Sequence, residues 1–252
     1  MIDVNCSIGH WPFRRLTRNT LPELKAYLKD YGISGGVLTH NHAVCYANVQ
    51  DANIELHEAL QKDSDGFFVG IATINPTYPA WRRDMETCVK QFGFRGVRMI
   101  PEYHNYLLTS RAAWELALAA GDLGIPVLFP RELVNYRQRH WMEPEMPLRV
   151  PDMLGFVSRF PDTRFLVMET DLPIAASYPA NLYVEMSRTH CCQGRGLDRL
   201  ITAIGAEHVL FGSGAPFREI EASLIKMHHA RLSDEERALV EHDNAVKLFQ
   251  MN

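Results

Sequence analysis

Residues 95–129 read RGVRMIPEYHNYLLTSRAAWELALAAGDLGIPVLF, and the fold follows from the pattern inside this stretch. It begins with RGVRMI (95–100) and ends with PVLF (126–129), two short and mostly apolar runs that are typical of buried strands. Between them, RAAWELALAAGDLG (111–124) carries apolar residues at helical spacing and predicts an amphipathic helix. A strand, a helix and a second strand in this order predict two parallel strands joined by a helical crossover.

The same strand-then-helix unit repeats along the whole chain. The eight predicted strands are Ile2–Asn5, Gly35–His40, Phe67–Thr73, Arg95–Ile100, Pro126–Phe129, Arg164–Glu169, Leu182–Ser187 and His208–Ser213. Eight units in 252 residues predict the α/β class and a closed (β/α)8 barrel, a TIM barrel, formed by one domain over residues 1–252. An open, doubly wound sheet is the alternative, but no GxGxxG follows the first strand as a dinucleotide-binding sheet would require.

The net charge and the distribution of apolar residues indicate which kinds of partner the chain is expected to bind. The chain has 26 Lys and Arg against 30 Asp and Glu, a net charge of −4, which gives no reason to expect nucleic acid. No apolar run reaches the roughly 18 residues of a membrane helix, and MIDVNCSIGHWPF lacks the pattern of a signal peptide. The five cysteines include no CxxC pair, and adjacent Cys191 and Cys192 are interpreted as apolar fillers. We therefore expect a cytoplasmic protein with a small-molecule ligand.

One long charged loop, Arg131–Arg149, carries the apolar residues Trp141, Met142 and Met146. Apolar residues in a long charged loop often cover a binding site or form a subunit contact. The loop is therefore expected to cross the barrel mouth as a lid or to support a homo-oligomer. An ordinary surface loop is the alternative.

Active sites of such barrels lie at the carboxyl ends of the strands, where this sequence places many polar side chains. The candidate site residues are Asn5, His10, His40, Arg98, Tyr103, His104, Arg131, Glu169, Glu185 and Ser213. Arg98 is the most informative of them, because it alternates with Val97 and Met99 inside an apolar strand. A buried arginine needs a carboxylate partner, here Glu169 or Glu185, or an anionic ligand.

His40 and His42 form an HxH pair. On one strand, the two side chains would face the same way and could bind zinc. If the strand ends at His40, both are ordinary loop residues. The pattern leaves these two interpretations open.

Five segments, taken in order, resemble the amidohydrolase superfamily, in particular the amidohydrolase-2 branch that includes decarboxylases and lactonases. They are IDVNCSIG (2–9), FRGVRMIPEYHNY (94–106), FPDTRFLVMETD (160–171), HVLFGSGAPF (208–217) and LSDEERALVEHDNAVKLF (232–249). The first resembles the family's strand-one motif IDxHxHxG, and the fourth resembles its strand-eight motif LFGSDxP. The resemblance covers nearly the whole chain and implies the same barrel.

The resemblance also implies that the family's metal ligands are missing. The two strand-one histidines fall on Asn5 and Ser7, and the strand-five histidine falls on Pro130 or Arg131. The strand-six histidine falls on Glu169, and the strand-eight aspartate falls on Gly214. The remaining oxygen donors form a weak set for zinc. We therefore expect no metal and no cofactor at the family's usual position.

Two functions compete. The first is a metal-independent hydrolase or lyase for a small carboxylated or carbonyl compound. In it, Arg98 and Arg131 clamp the anion, His104 or His40 transfers a proton, and Glu169 orients the histidine or acts itself. The other candidates contact the substrate. The second function is a non-catalytic ligand-binding protein on a decayed barrel. A weaker third hypothesis is a displaced metal site formed by His40, His42 and His104.

Overall fold

A computed structural model of the protein describes residues 1–63, 65–172, 177–190 and 195–251. Cys191 and Cys192 lie outside the described residues. The strands are β1 Ile2–Ile8, β2 Gly35–His40, β3 Phe68–Gly70, β4 Ala72–Thr73, β5 Val97–Arg98, β6 Val127–Pro130, β7 Phe165–Met168, β8 Leu182–Glu185 and β9 Val209–Leu210. A helix follows nearly every strand, as the repeated pattern predicts.

The helices form the outer layer. They are α1 Leu21–Asp30, α2 Val49–Gln61, α3 Trp81–Lys90, α4 Pro101–His104, α5 Arg111–Asp122, α6 Val150–Arg159, α7 Gly196–Ile204, α8 Glu221–His229, α9 Asp234–Ala238 and α10 Asn244–Phe249. Short 3-10 turns follow β2 at Asn41–Val44 and β8 at Met186–Arg188. In the described ranges, no helix is both long enough and apolar enough to cross a membrane.

All strand pairs are parallel, and the barrel is closed. Strands β1 to β3 pair in sequence order, and so do β4 to β9. β3 and β4 are the two halves of one predicted strand, broken at Ile71, whose N–H donates to Leu38 O at 2.9 Å. Val4 N donates to Phe211 O and Ser7 N donates to Ala215 O, both at 3.0 Å, which joins the last strand to the first. The predicted (β/α)8 barrel is therefore confirmed.

Several predicted strand boundaries are wrong. Arg95–Ile100 shortens to Val97–Arg98, and Leu182–Ser187 ends at Glu185. The first strand extends beyond Asn5 to Ile8, and the last contains only Val209–Leu210 instead of His208–Ser213. After β9 the chain continues along β1 through separate hydrogen bonds, but Gly214 has a φ of +79° and breaks the extended conformation. That break occurs at the barrel mouth, where it shapes the site.

The barrel interior is apolar at its lower end. It contains side chains from alternate strand positions together with the inner face of α10, which closes the bottom. These residues are Ile2, Val4, Val37, Ile71, Leu128, Leu166, Met168, Tyr183, Leu210, Ala245, Leu248 and Phe249. Because polar groups are excluded from this layer, the polar side chains of the interior gather at the upper end.

A β-bulge in β1 separates the apolar floor from the polar upper layer. The register of β1 against β2 shifts between Asp3 and Cys6, so one extra residue lies on β1. Val4 packs in the apolar interior, whereas the next residue, Asn5, reaches across the barrel to the ends of β7 and β8. A bulge re-aims side chains in this way, and here it turns an amide into the barrel mouth.

Aromatic side chains from three loops form a cap over the mouth, which we call the aromatic cap. It consists of Trp11 and Phe13 after β1, Tyr103 after β5 and Phe217 after β9. Trp11 lies at its centre, with ring-centroid distances of 5.7, 5.8 and 5.2 Å to the other three rings. Trp11 is only 4% exposed. The cap therefore separates the polar layer below it from solvent.

The loop Arg131–Arg149 does not place its apolar residues over the mouth. Trp141, Met142 and Met146 are 81%, 62% and 76% exposed. The loop instead contacts the cap through buried Glu143, whose Oε1 accepts a hydrogen bond from Tyr103 Oη at 3.0 Å. The expectation that the three apolar residues form the lid is wrong, because they project into solvent. A subunit contact through them stays a prediction.

Candidate active site

An amide and two carboxylates meet at the centre of the upper layer. Asn5 Nδ2 donates to Glu169 Oε1 at 2.7 Å and to Glu185 Oε2 at 3.0 Å. Glu169 is 7% exposed and Glu185 is fully buried. Burial first, and then the adjacent Glu169 carboxylate, raises the pKa of Glu185. Three of the ten candidates are thus brought together, and the amide bridges the two acids.

Two arginines engage Glu169 from the opposite side. Arg188 Nε donates to Glu169 Oε2 at 2.6 Å, and Arg218 Nη2 donates to the same oxygen. Arg218 also donates through Nη1 to Ser187 O at 3.0 Å. Glu169 is thus held by two guanidinium groups, so the prediction that it orients a histidine is wrong. The sequence gives little sign of Arg188, which follows β8 on a 3-10 turn, and only a weak sign of Arg218.

Asp3 and Ser213 support the backbone around this cluster. Asp3 Oδ1 accepts hydrogen bonds from Asn5 N and Ser213 N, both at 3.0 Å, and burial raises the pKa of Asp3. Ser213 is 1% exposed, and its hydroxyl oxygen accepts from Ala215 N at 3.0 Å. Ser213 therefore holds the turn after β9, and its predicted contact with substrate has no support in this geometry.

Gly214 leaves room that other side chains fill. A Cβ at this position would lie 3.0 Å from Glu169 Oε1 and 3.6 Å from both Cδ and Nε of Arg218. The space beside the glycine is thus occupied by the Glu169–Arg218 pair. Neither His10 nor His40 reaches into this space, because the His10 ring stacks on His42 and the His40 ring packs against the same side chain at the end of β2.

His40, His42 and Glu55 form a second cluster at that rim. His42 Nδ1 lies 2.7 Å from Glu55 Oε2, and His40 Nε2 lies 3.6 Å from the same oxygen. The two imidazole centroids are 4.5 Å apart, although β2 ends at His40 and His42 lies on the following turn. Gly9 makes the approach feasible, since its φ is +93° and a Cβ there would lie 2.6 Å from the His40 ring.

His10 is exposed at the edge of this cluster. Its backbone N–H donates to His42 Nε2 at 3.2 Å, and its ring stacks on that of His42 at 6.1 Å between centroids. Its Nδ1 pairs with Asn19 Nδ2 at 3.0 Å. The side chain therefore lies on the rim of the mouth and outside the central cluster.

Arg98 is buried without a carboxylate partner. It is 4% exposed, and in the described part of the chain no acidic oxygen lies within 4.0 Å of its guanidinium. Its Nε donates to Thr73 Oγ1 at 3.1 Å and its Nη2 donates to His40 O at 3.2 Å. Burial lowers the pKa of Arg98 to about 9. The predicted pair with Glu169 or Glu185 is absent here, because both acids are engaged elsewhere.

His104 presents an unpartnered nitrogen beside Arg98. Its Nε2 lies 3.0 Å from Ala43 O, and since a carbonyl can only accept, Nε2 carries the proton. Nδ1 therefore holds a lone pair, and in the described chain this buried atom has no partner. Burial, together with the positive charge of Arg98, lowers the pKa of His104 to about 4. The side chain is thus a neutral imidazole with a free acceptor.

Tyr103 and Arg131 complete the predicted set. Tyr103 belongs to the aromatic cap, and burial raises the pKa of its phenol far above its usual value. Arg131 is half-buried after β6, and its Nε has no acceptor in the described residues. The structure therefore places both residues close to the mouth. Tyr103 contributes an aromatic ring to the cap, and Arg131 contributes a positive charge with an N–H group that has no acceptor in the described part of the chain.

Comparison with known proteins agrees with this architecture. The amidohydrolase family model Amidohydro_2 matches residues 9–251. The chain belongs to the amidohydrolase family. No curated protein matches the sequence. The resemblance predicted from the five segments is therefore confirmed, and solved structures share the barrel fold.

Three solved structures superpose over almost the whole chain. A 2,6-dihydroxybenzoate decarboxylase from Rhizobium gives a TM-score of 0.74 at 14% identity, over 99% of this chain and 98% of that one. A dihydroxybenzoic acid decarboxylase from Polaromonas sp. JS666, with bound manganese and 2-nitroresorcinol, gives a TM-score of 0.70 at 19% sequence identity. The superposition covers 93% of this chain and 88% of that one. A TIM-barrel protein from Bordetella bronchiseptica gives a TM-score of 0.74 at 15% sequence identity. The superposition covers 100% of this chain and 99% of that one.

The residues at the family's metal position do not fit a metal ion. Asn5, Ser7 and Gly214 supply no imidazole and no carboxylate there, and the carboxylate of Glu169 is already neutralised. The guanidinium groups of Arg188 and Arg218 both contact that carboxylate. A dication placed there would face two fixed positive charges and few anionic donors.

The ligand atoms of His40, His42 and Glu55 at the rim are close enough together to bind one metal ion, but the imidazole nitrogens are already engaged in hydrogen bonds. In the described part of the chain, His40, His42 and Glu55 are the one set of three potential ligands whose donor atoms all lie within 4.8 Å. Backbone N–H groups donate to His42 Nε2 and to His40 Nδ1, at 3.2 and 3.3 Å. Each ring therefore keeps its proton on the nitrogen that faces Glu55. A metal would have to displace both protons and both hydrogen bonds.

The displaced metal site predicted from His40, His42 and His104 is not assembled. His104 is bonded to Ala43 O, and Glu55 of α2 takes the third place beside the two histidines. The HxH spacing points correctly to a histidine cluster, but Glu55 has no sequence signal, since it lies on a helix with ordinary amphipathic spacing.

Proposed function

We propose that this amidohydrolase-family protein is a metal-independent enzyme that acts on a small carboxylated compound, as a lyase or a hydrolase. The observation that carries the proposal is the pairing of Arg98, a buried cation without a carboxylate, with His104, a buried imidazole with a free Nδ1. A buried guanidinium is stabilised by a bound anion, and a neutral imidazole accepts a proton.

Both side chains are held by the same short segment. Arg98 donates to His40 O, and His104 donates to Ala43 O, so the turn after β2 fixes their relative positions. Such fixed positions favour catalysis, because a reacting group is then oriented without further loss of entropy. In the proposed complex, Arg98 holds the carboxylate by charge-assisted hydrogen bonds, and His104 Nδ1 accepts a proton from a hydroxyl group of the substrate or from an attacking water molecule.

The substrate class is supported by two further features. Solved structures with this fold include decarboxylases of dihydroxybenzoates, which are small aromatic acids. The aromatic cap supplies ring faces and edges above the polar layer, which suit a planar aromatic body. We therefore favour an aromatic carboxylate over an aliphatic one. Ligand entry then requires the cap to move, since Trp11 is buried.

His40 and Glu169 receive different roles from those expected. Burial lowers the pKa of His40 to about 4, so His40 is a neutral imidazole whose Nε2 faces Glu55 at the rim. Glu169 balances Arg188 and Arg218 and keeps the centre of the mouth rigid. Neither side chain is therefore assigned the role of base in the proposed reaction.

The pH profile tests His104 as the base. Because the pKa of His104 is lowered to about 4, its neutral form is present above that pH. Turnover of an aromatic carboxylate, followed by NMR with EDTA present, should fall as the pH drops through about 4 and not near 6.5. His104→Gln should lower turnover about a hundredfold or more. His228→Gln, which changes an exposed histidine of α8, is the matched control and should leave turnover unchanged.

A second function, ligand binding without catalysis, has one observation in its favour. At the centre of the mouth, the Glu169 carboxylate is neutralised by its contacts with two arginines and is not free to act as a base. This alternative predicts that aromatic carboxylates raise the melting temperature without being converted. Conversion by the wild type at a rate that His104→Gln abolishes would exclude it.

A further inference from the structure

The loop after β1 encloses a cavity of its own beside the N-terminus of α1. The cavity has a volume of about 750 Å³ and is lined by residues 10–19 together with Glu23. Its sequence, HWPFRRLTRN, contributes Arg14, Arg15 and Arg18. None of these arginines belongs to the centre of the barrel mouth. Three guanidinium groups in one cavity give it a concentrated positive charge.

Only one of the three arginines is balanced by an acid. Arg18 Nη2 pairs with Glu219 Oε2 at 2.5 Å, and its guanidinium lies 4.0 Å from the centre of the Tyr27 ring. Arg14 donates through Nη2 to Phe217 O at 3.2 Å. Within the described ranges, neither Arg14 nor Arg15 has a carboxylate oxygen within 4.0 Å. Glu143 lies near enough to Arg14 to interact with its charge but forms no direct ion pair with it. The cavity therefore carries two positive charges that no carboxylate of the described residues contacts directly.

The same lining holds buried donors that lack acceptors. In the described chain, Nε of Arg14, Nε of Arg18 and Nε1 of Trp11 are buried and have no hydrogen-bond partner. All three are N–H groups, so what is missing is an acceptor. A buried donor left unsatisfied costs about 1–3 kcal/mol, and these three covered atoms add to the excess of donors over acceptors around the cavity.

His10 adds another donor at the edge of the cavity. Its Nδ1 accepts from Asn19 Nδ2 at 3.0 Å, which leaves the proton of the neutral ring on Nε2. The one acid in the lining, Glu23, accepts a hydrogen bond from Thr20 Oγ1 at 2.7 Å. The donors of the cavity thus outnumber its acceptors.

From this imbalance we propose that the cavity is a second binding site, for a small molecule bearing an oxyanion, either a phosphate or a carboxylate. Arg14 and Arg15 bind the anion, and the exposed His10 side chain adds a hydrogen bond from its Nε2–H group. The apolar walls from Trp11, Phe13 and Leu16 contact the body of the ligand. The site goes beyond the proposed reaction at Arg98 and does not depend on it.

Isothermal titration of the full chain with inorganic phosphate, and separately with benzoate, tests the site. Binding of at least one probe is expected at millimolar concentration, and it should weaken as sodium chloride is added. Arg14→Gln and Arg15→Gln should each weaken that binding about tenfold or more. Arg111→Gln, which removes a charge that is 90% exposed on α5, is the matched control and should bind like the wild type.

Three outcomes would overturn the proposal. They are the absence of binding for both probes, equal binding by the two variants and the control, and benzoate binding that only Arg98→Met removes. The last outcome assigns the anion to the barrel mouth and leaves the proposed reaction intact. If Arg14→Gln does not fold, Arg15→Gln still decides, because Arg15 is exposed. Phosphate binding without benzoate binding supports a phosphate ligand, and the reverse supports a carboxylate.

Discussion

Replacing Arg98 by methionine is expected to lower kcat/KM for an aromatic carboxylate about a thousandfold. Arg98 is the buried cation that the proposed function uses to hold the substrate, and two charge-assisted hydrogen bonds contribute about 1.5–3 kcal/mol each. The fold should survive, because in the described chain Arg98 has no carboxylate partner that the substitution would leave as an uncompensated buried charge. The measurement is steady-state kinetics beside urea unfolding of the same variant.

Arg83→Met is the matched control for this variant. Arg83 is on α3, its side chain is 81% exposed, and its removal changes the net charge by the same amount. Full activity in Arg98→Met would show that the substrate carboxylate lies elsewhere. A thousandfold loss shared by Arg83→Met would indicate a long-range charge effect and would equally contradict the role given to Arg98.

The largest loss of stability is expected for Glu169→Gln. Glu169 is the shared partner of Arg188 and Arg218, whose side chains are only 12% and 19% exposed. Removing one member of a buried ion pair leaves charge uncompensated and typically costs about 3–5 kcal/mol. The free energy of unfolding in urea at neutral pH should fall by about 3 kcal/mol or more.

Glu115→Gln provides the comparison, because it removes a carboxylate from the exposed pair with Arg111 on α5. That pair should contribute less than about 0.5 kcal/mol. Equal losses of stability from the two substitutions would mean that the Glu169 ion pairs are hydrated and weak. Such ion pairs would not fill the family's metal position rigidly.

The barrel could be predicted from the sequence because its signal is repeated. Each strand is a short apolar run and each helix has its own spacing, so one misplaced boundary does not change the architecture. Two of the boundaries that fail, at β1 and β9, lie where the strands meet the site. There the bulge after Asp3 and the positive φ of Gly214 override local preferences.

The centre of the mouth could be predicted in part. The resemblance to the family places Asn5, Glu169 and Gly214 at one locus, and the structure brings them together: Asn5 O accepts from Gly214 N at 3.1 Å. The partners of Glu169 could not be predicted, because Arg188 and Arg218 follow different strands. A strand pattern gives no information on which loop side chains fold back into the mouth.

The contacts of the rim and of the aromatic cap also could not be predicted from local sequence. The HxH spacing indicates that His40 and His42 are close, but their tautomers depend on two backbone N–H groups that only the folded loops supply. Likewise, Trp11 and Phe217 are separated by most of the chain and meet only because the barrel closes. Contacts between loops are set by closure, which no local segment encodes.

The central claim is that this protein has replaced the family's metal by an internal ion-pair network. It is tested most directly by the metal content of untreated, tag-free protein, measured by inductively coupled plasma mass spectrometry beside a Gly214→Asp variant. We expect less than about a tenth of an equivalent of any transition metal in both, because one aspartate cannot supply the missing nitrogen donors. A full equivalent of zinc or manganese in the wild type, bound at the mouth or at His40, His42 and Glu55, would contradict the claim.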